Sequence, residues 1–248
     1  MKRKEVIVGL LLCLFVFVFI HFTKQDNVSE QVVYIPSEEQ ELEEEVKEEV
    51  NYQDLIKSLQ EENNNKDIKA VLRIPGTNFS SVVPQGDDNN YYLRRLPNKK
   101  YSRLGSTYLD SRVNIEKSSK LLIYGHNSSK YSMPFEILEN FYNEEFRNNH
   151  KYIELVTENG VKTYEIFSIY VEVKDYAYYQ KMEFDSKDDF FNHIKRMQDK
   201  SMYDMKVPIN KDDKILILQT CSTHKDYLKY KKKYLLIISK EVMVNEIN

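Results

Sequence analysis

The sequence predicts a mainly β fold, in the form of a closed or nearly closed β-barrel. Beyond Ala70 the chain alternates short apolar runs with turns, and few segments carry a long helical pattern. Many short strands separated by turns are typical of barrels, in which the strands pair around one core. The predicted strands are residues 70–74, 106–109, 120–124, 152–156, 162–173, 214–220 and 234–239.

A first helix is predicted at residues 52–60, before the first strand. Its apolar side chains are Tyr52, Leu55, Ile56 and Leu59, and this spacing puts them on one face of a helix. We expect this face to pack against the folded domain at its N-terminal end.

A second helix is predicted between the fifth and sixth strands. Residues 186–189, Ser-Lys-Asp-Asp, are similar to a capping box at a helix start. Phe190, Ile194 and Met197 follow with the spacing of one helical face. We interpret this apolar stripe as a core contact rather than a ligand site.

Length and charge divide the chain into three parts. Residues 6–22 are apolar and follow three basic residues, so residues 1–23 are predicted to be a cytoplasmic stub and transmembrane anchor, with the rest outside. A cleaved signal peptide is the alternative, but no alanine precedes Ala70 to form a usual cleavage site. Residues 24–66 are predicted to be an acidic spacer and packing helix, and residues 67–248 the folded domain.

Composition argues against several classes of function. The net charge of −3 gives no basic footprint for nucleic acid, and six glycines form no phosphate-binding loop. Residues 38–49 carry eight glutamates against one lysine, which indicates a solvated segment.

His224 follows Cys221 by three residues, but no second Cys/His pair accompanies it, so neither a metal nor a cofactor is expected. His150 and His193 are interpreted as helix or turn residues in polar surroundings.

Cys221 is the first candidate for a reactive group. It ends the apolar run 214–220 and is the only cysteine outside the N-terminal apolar segment. A protein that folds outside the cell usually pairs its cysteines or omits them, so a single thiol suggests reactivity. The alternative is an inert core residue at a strand end.

His126 is the natural partner for this thiol. It follows the predicted strand 120–124 and Gly125, so a second strand end delivers an imidazole into a polar loop. A thiol next to an imidazole is the pairing that activates cysteine for acyl transfer. The alternative for this histidine is a polar group that only satisfies its hydrogen bonds.

The motifs around these two residues resemble the sortases, the cysteine transpeptidases of Gram-positive cell surfaces. Residues 217–221, I-L-Q-T-C, resemble the family signature T-L-x-T-C, with Ile217 in place of the first threonine. Other segments occur in the order and spacing of class B sortases. They are I-P-G-T-N at 74–78, V-V-P-Q at 82–85, D-N-N-Y-Y-L at 88–93, G-S-T-Y-L-D at 105–110 and Y-G-H-N at 124–127.

The resemblance implies a fold and an activity. The fold is a closed eight-stranded sortase barrel, with a helix in the long loop before the cysteine-bearing strand. Cys221 is expected to form a thioester with an N-P-x-T-like C-terminal sorting signal, and His126 to act as acid and base. The partners are then surface proteins that carry the signal and an amino group of the cell-wall peptide. Asn89, Leu93 and Thr220 are expected to line the substrate groove.

The chain departs from the family at the third catalytic position. Sortases place an arginine at the start of the strand after the cysteine, and this chain has no arginine beyond Arg196. Lys233 is the nearest cation to the expected position, and Tyr234 takes it if the register slips by one residue. Arginines from elsewhere in the chain are a further alternative. These are Arg94, Arg95 and Arg103.

Two rival functions follow from this reading. One is a catalytically silent surface module that keeps the groove to bind a peptide, which the missing arginine favours and the retained Cys221 and His126 oppose. The other is a papain-like hydrolase, which the sequence around Cys221 and the order of cysteine and histidine disfavour.

Overall fold

The computed structural model describes residues 50–243, which form one eight-stranded sheet with the strand order β2-β1-β5-β6-β8-β7-β4-β3. All neighbouring strands are antiparallel except β4 and β7, which are parallel. The strands are β1 Ile68–Arg73, β2 Ser80–Pro84, β3 Tyr108–Leu109, β4 Lys120–Tyr124, β5 Tyr152–Thr157, β6 Gly160–Glu172, β7 Ile215–Cys221 and β8 Tyr234–Val242.

The two edge strands, β2 and β3, meet through side chains, which makes the barrel nearly closed. The hydroxyl of Thr107, next to β3, donates to the carbonyl of Val82 in β2 at 3.1 Å, and it also bonds to the Ser81 hydroxyl. The prediction of a mainly β, eight-stranded barrel is confirmed. Side chains join β2 and β3 because β3 has only two residues with which to form backbone hydrogen bonds.

The central strands are buried on both faces, and this explains their continuous apolar runs. All five residues of β4 are buried, and so are the first six residues of β7. Strands covered on both sides lack the alternation of polar and apolar residues seen in half-exposed strands. Strands β4 and β7 pair with each other and are flanked by β3 and β8, so each has a hydrogen-bonded neighbour on both sides.

The first predicted helix is present as α1, Tyr52–Glu62. The side chain of Asn51 caps it by accepting from the backbone N–H of Asp54 at 3.3 Å. Ile56 and Leu59 are buried in a small apolar cluster with residues of β1, β2 and β5. The helix therefore covers one side of the barrel, while the predicted domain boundary near residue 67 stays a prediction.

The second predicted helix is confirmed as α4, Lys187–Asp199, between β6 and β7. Ser186 caps it by accepting from the backbone N–H of Asp189 at 3.1 Å. The apolar stripe is buried against the barrel, as expected. His193 lies on this helix, as expected, but it is buried, with aromatic rings around it and its Nε2 2.8 Å from the ammonium group of Lys120. Its neighbours are Tyr178 and Phe184, with ring centroids 4.6 and 4.9 Å away.

Several shorter elements complete the fold. Helix α2 spans Glu144–Asn149, and helix α3 spans Tyr176–Tyr179. Three 3₁₀ segments occupy Tyr92–Arg94, Pro134–Tyr142 and Lys225–Tyr227. Within residues 50–243, no helix has the length and apolar character needed to cross a membrane. The predicted anchor at residues 6–22 lies outside the described residues.

Candidate active site

The parallel pairing of β4 and β7 brings the two candidate groups to one edge of the barrel. Tyr124 pairs with Gln219, and the backbone N–H of Gly125 donates to the Gln219 carbonyl at 3.0 Å. Continued by two residues, this register puts His126 opposite Cys221. Cys221 is the last residue of β7, and His126 lies two residues beyond the end of β4. Because the two strands are parallel, the thiol and the imidazole reach the same end of the sheet.

Side-chain hydrogen bonds join these two strand ends beyond the ladder. The hydroxyl of Thr220 donates to the Gly125 carbonyl at 2.9 Å, and Thr220 is fully buried. The amide of Asn127 donates to the Cys221 carbonyl at 3.0 Å. Thr220, predicted to line the substrate groove, thus has its hydroxyl engaged in holding the segment before His126.

Glu139 adds a link that the sequence did not predict. Its Oε1 accepts from the Asn127 amide at 3.0 Å and from the backbone N–H of Thr223 at 2.7 Å. Glu139 lies in the 3₁₀ segment Pro134–Tyr142, so this carboxylate connects the loop after His126 with the loop after Cys221. No periodicity or motif marks such a residue, because its partners are distant in sequence.

Gly125 is required by a close contact at the end of β4. A Cβ atom added there would lie 2.5 Å from the ring of Phe135, closer than side-chain atoms approach. The Phe135 backbone N–H also donates to the His126 carbonyl at 3.3 Å. The glycine therefore lets the buried Phe135 ring pack under the turn that carries His126.

Cys221 has an exposed side chain at the end of β7. Even so, the surrounding protein removes part of its water, and this desolvation raises the pKa of the thiol above its ordinary value. The positive charge of Lys233 lowers the pKa and so opposes this effect. The thiolate is the nucleophilic form, so Lys233 favours reactivity at this position.

Lys233 and Tyr234 lie beside Cys221 in different ways. Tyr234 is the register partner of Cys221 on β8, so the two side chains share a face of the sheet. Lys233 precedes the strand, and its carbonyl accepts from the Ser222 backbone N–H at 3.0 Å. Its ammonium group donates to the Tyr230 carbonyl at 3.3 Å. Both candidates for the missing arginine are thus adjacent to the thiol.

The upstream arginines have other positions. Arg94 and Arg103 are exposed, and the guanidinium of Arg95 stacks on the ring of Tyr91 at 4.3 Å and donates to its carbonyl. The structure therefore gives no contact between Arg95 and the Cys221 loop.

Asn89 and Leu93, the predicted groove residues, are placed differently from each other. The Asn89 amide donates to Asp110 at 3.0 Å and accepts from the Ser111 backbone N–H at 2.8 Å, so both of its ends hold the neighbouring loop. Leu93 reaches the site through its backbone: its carbonyl lies 2.9 Å from Nε2 of His126.

His224 has a local role that differs from metal binding. Its Nδ1 accepts from the Asp226 backbone N–H at 3.3 Å, and its ring lies 4.5 Å from the ring of Tyr142. Among residues 50–243, no cluster of three or more histidine, cysteine or carboxylate side chains forms a metal site.

The chain is similar to known sortases in sequence and in structure. The family model described as Sortase domain matches residues 72–241. Sortase B of Listeria monocytogenes is 34% identical over 168 residues, which cover 66% of this chain and 67% of that protein. Among relatives in the curated set, sortase B of Staphylococcus aureus is 27% identical over 183 residues, 73% of this chain and 72% of that protein.

Solved structures agree with the sequence comparisons. The structure of Clostridium perfringens sortase B has a TM-score of 0.68 and 34% identity, and the match covers 75% of this chain and 99% of that one. A Staphylococcus aureus sortase B–substrate complex has a TM-score of 0.68 and 26% identity, with coverage of 77% and 86%. The chain therefore belongs to the sortase family, as a cysteine transpeptidase of class B.

Proposed function

We propose that this sortase cleaves an N-P-x-T-like C-terminal sorting signal and joins the new carboxyl end to an amino group of the cell wall. The sulfur of Cys221 attacks the threonine carbonyl carbon, the peptide C–N bond breaks, and the departing nitrogen takes a proton from His126. An amine then attacks the thioester, its proton passes to His126, and the cysteine leaves as thiolate. The partners are surface proteins that carry the signal and a peptidoglycan amine.

The pairing of β4 with β7 is the observation that carries this proposal. Its register sets His126 opposite Cys221, and the Thr220 and Asn127 hydrogen bonds fix the two strand ends to each other. Two strand ends that are fixed to each other lower the entropy cost of bringing the thiol and the imidazole together. The Staphylococcus aureus sortase B–substrate complex supports the proposal that this fold binds a substrate.

Lys233 is our candidate for the cation that steadies the developing oxyanion. Its charge already acts on the Cys221 thiol. A lysine offers a point charge rather than the planar fork of an arginine, so it orients the substrate carbonyl less strictly. The groove roles of Asn89, Leu93 and Thr220 belong to the same proposal. For Asn89 and Thr220 the hydrogen bonds support an indirect role, through the loops they hold.

The deciding experiment traps the thioester. The full chain is incubated with an N-P-x-T-containing peptide and with a scrambled peptide, and mass spectrometry measures the acyl adduct on Cys221. We expect the adduct only with the sorting signal, its release by hydroxylamine as an amine probe, and its loss in Cys221→Ala. His126→Ala should abolish turnover while the thermal melt stays near that of the wild type.

A wild-type chain that binds the peptide without forming an adduct would contradict the proposal. That result would favour the silent peptide-binding module. Turnover of Cys221→Ala within tenfold of the wild type would overturn the assignment of the nucleophile.

Membrane attachment is part of the same proposal. Residues 6–22 supply a single span with the N-terminus in the cytoplasm, and the catalytic domain lies outside the cell membrane. Protease added to intact protoplasts should digest the chain after about residue 24. A soluble form that begins near residue 25 would show instead that the apolar segment is a cleaved signal peptide.

A further inference from the structure

Among residues 50–243, the imidazole of His126 has one hydrogen-bond partner, the backbone carbonyl of Leu93. Nε2 lies 2.9 Å from that oxygen. A carbonyl oxygen only accepts hydrogen bonds, so Nε2 must carry a hydrogen when this bond is formed. In the neutral ring the lone pair that can take up a proton is then on Nδ1.

The Leu93 carbonyl belongs to a turn that is itself held in place. Ser106 binds this turn from both sides of Leu93. Its backbone N–H donates to the Tyr92 carbonyl at 3.0 Å, and its hydroxyl donates to the Arg95 carbonyl at 2.6 Å. Tyr92 is fully buried, so the turn has little freedom to move. The carbonyl that faces His126 is therefore a fixed acceptor.

Gly105 is the residue that allows this contact. It has a φ of +64°, and a Cβ atom there would lie 2.6 Å from the Leu93 oxygen and 2.9 Å from Cδ2 of His126. Any side chain would push the carbonyl and the imidazole away from each other. Gly105 opens the G-S-T-Y-L-D segment at 105–110, to which no chemical role has been given so far.

We propose that Gly105 is a positioning residue that fixes the tautomer of His126 through the Leu93 carbonyl, so that His126 exchanges its catalytic proton at Nδ1. When the substrate amine departs, the proton leaves from Nδ1 of the imidazolium, and Nε2 keeps its hydrogen on Leu93. When the acceptor amine attacks, Nδ1 takes the proton back. The two proton transfers at Nδ1 rest on the proposed reaction. The assignment of the tautomer rests only on the hydrogen bond to Leu93 and does not depend on that reaction.

Nitrogen NMR of the full chain tests the tautomer directly. Only five histidines are present, and His126→Gln identifies the signal of His126. In ¹⁵N-histidine-labelled protein at alkaline pH, we expect a protonated Nε2 whose hydrogen exchanges slowly with water, and an unprotonated Nδ1. A neutral ring protonated on Nδ1, or a freely exchanging Nε2–H, overturns the proposal.

The Gly105→Ala variant tests the consequence for activity. We expect the slowly exchanging Nε2–H signal to disappear and the acylation rate to fall by about 10²-fold, because small displacements of a catalytic group have effects of this size. The peptide concentration for half-maximal rate should change little. Retained signal and rate would contradict the proposal.

Gly160→Ala is the matched control. Gly160 also has a positive φ, +123°, but no atom of the part of the chain that the structure describes lies within 4 Å of a Cβ atom there. It therefore reports the effect of backbone strain without contact to His126, and its rate and Nε2–H signal should match the wild type. If Gly105→Ala fails to fold, the wild-type spectrum still decides which ring nitrogen of His126 carries the hydrogen. If the wild type shows the expected tautomer but forms no thioester, the proposed reaction fails and the tautomer assignment stands.

Discussion

The ammonium group of Lys120 lies 2.8 Å from Nε2 of His193, and both side chains are buried between the barrel and α4. The same ammonium donates to the carbonyls of Tyr179 and Lys181, each at 2.7 Å. Its three hydrogens are thus all used by acceptors on one segment, from α3 to α4. A strand residue at the start of β4 therefore anchors the segment inserted before the cysteine-bearing strand.

Replacing Lys120 by methionine should loosen this anchor. The change keeps an unbranched side chain but leaves the buried Tyr179 carbonyl, the partly buried Lys181 carbonyl and the His193 nitrogen without their donor. Because unsatisfied buried groups are costly, we expect the free energy of unfolding to fall by about 1 to 3 kcal/mol. Chemical denaturation measures this change. Lys57→Met on the exposed face of α1 is the control and should be nearly neutral, since its ion pair with Glu61 is solvent-exposed.

The pH dependence of the free energy of unfolding should report the titration of the buried His193. Burial, followed by the positive charge of Lys120, lowers the pKa of His193 from 6.5 to about 3. The unfolded chain therefore binds this proton more readily than the folded one. The stability that the neutral ring provides is complete above pH 6.5 and is lost as the pH falls from 6.5 towards 3, by up to about 1.4 kcal/mol per pH unit.

Glutamine at position 193 isolates this effect. Its Oε1 can still accept from Lys120, but it does not titrate. Unfolding experiments between pH 7 and pH 4 should give a shallower loss of stability for His193→Gln than for the wild type. Parallel curves for the two proteins would show that His193 does not set this pH dependence.

Lys233 should control the ionisation of Cys221. Its positive charge lowers the pKa of a thiol that desolvation raises. In Lys233→Ala only the raising effect remains, so the pH profile of thiol alkylation should move to higher pH. Lys233→Arg should restore the profile. Lys232→Ala is the control, because the ammonium group of Lys232 lies by the ring of Tyr176, 5.8 Å from its centroid. An equal shift in both alanine variants would remove Lys233 from the site.

Glu139 should act through geometry rather than charge. Both of its hydrogen bonds end on one oxygen, which glutamine retains. We therefore expect Glu139→Gln to keep most of the acylation rate, and Glu139→Ala to lower it by about 10²-fold as the loops around His126 and Cys221 separate. Steady-state peptide cleavage measures both variants. A loss in Glu139→Gln as large as that in Glu139→Ala would point instead to a need for the negative charge.

Much of the barrel could be predicted because its strands are apolar runs bounded by turns. Strand β2 was not predicted from the apolar pattern, since Ser80–Pro84 is short, begins with two serines and ends with proline. The 3₁₀ segment Pro134–Tyr142 and helix α2 also escaped prediction. Helix α2 has only six residues, fewer than two turns. In the 3₁₀ segment the buried residues Phe135, Leu138 and Phe141 recur every three residues and not with the 3.6-residue period of an α-helix.

The site could be predicted only as far as its motifs reached. Cys221 and His126 follow recognisable strands. The parallel register that sets them opposite each other cannot be predicted from the sequence of either segment alone. Lys120 was read as the first residue of a strand, and nothing nearby indicates that its ammonium is buried. Its acceptors lie about sixty residues away and are mostly backbone carbonyls, which every residue possesses.

The parallel pairing of β4 and β7 also determines when the site can form. Gly125 and Thr220, which bond across this pair, are 95 residues apart in sequence. Contacts of such long range form late, because the loop must be closed before the contact stabilises anything. A partly folded chain then has a thiol with no imidazole beside it. We therefore expect Cys221 and His126 to come to the same edge only once the strands between β4 and β7 are in place.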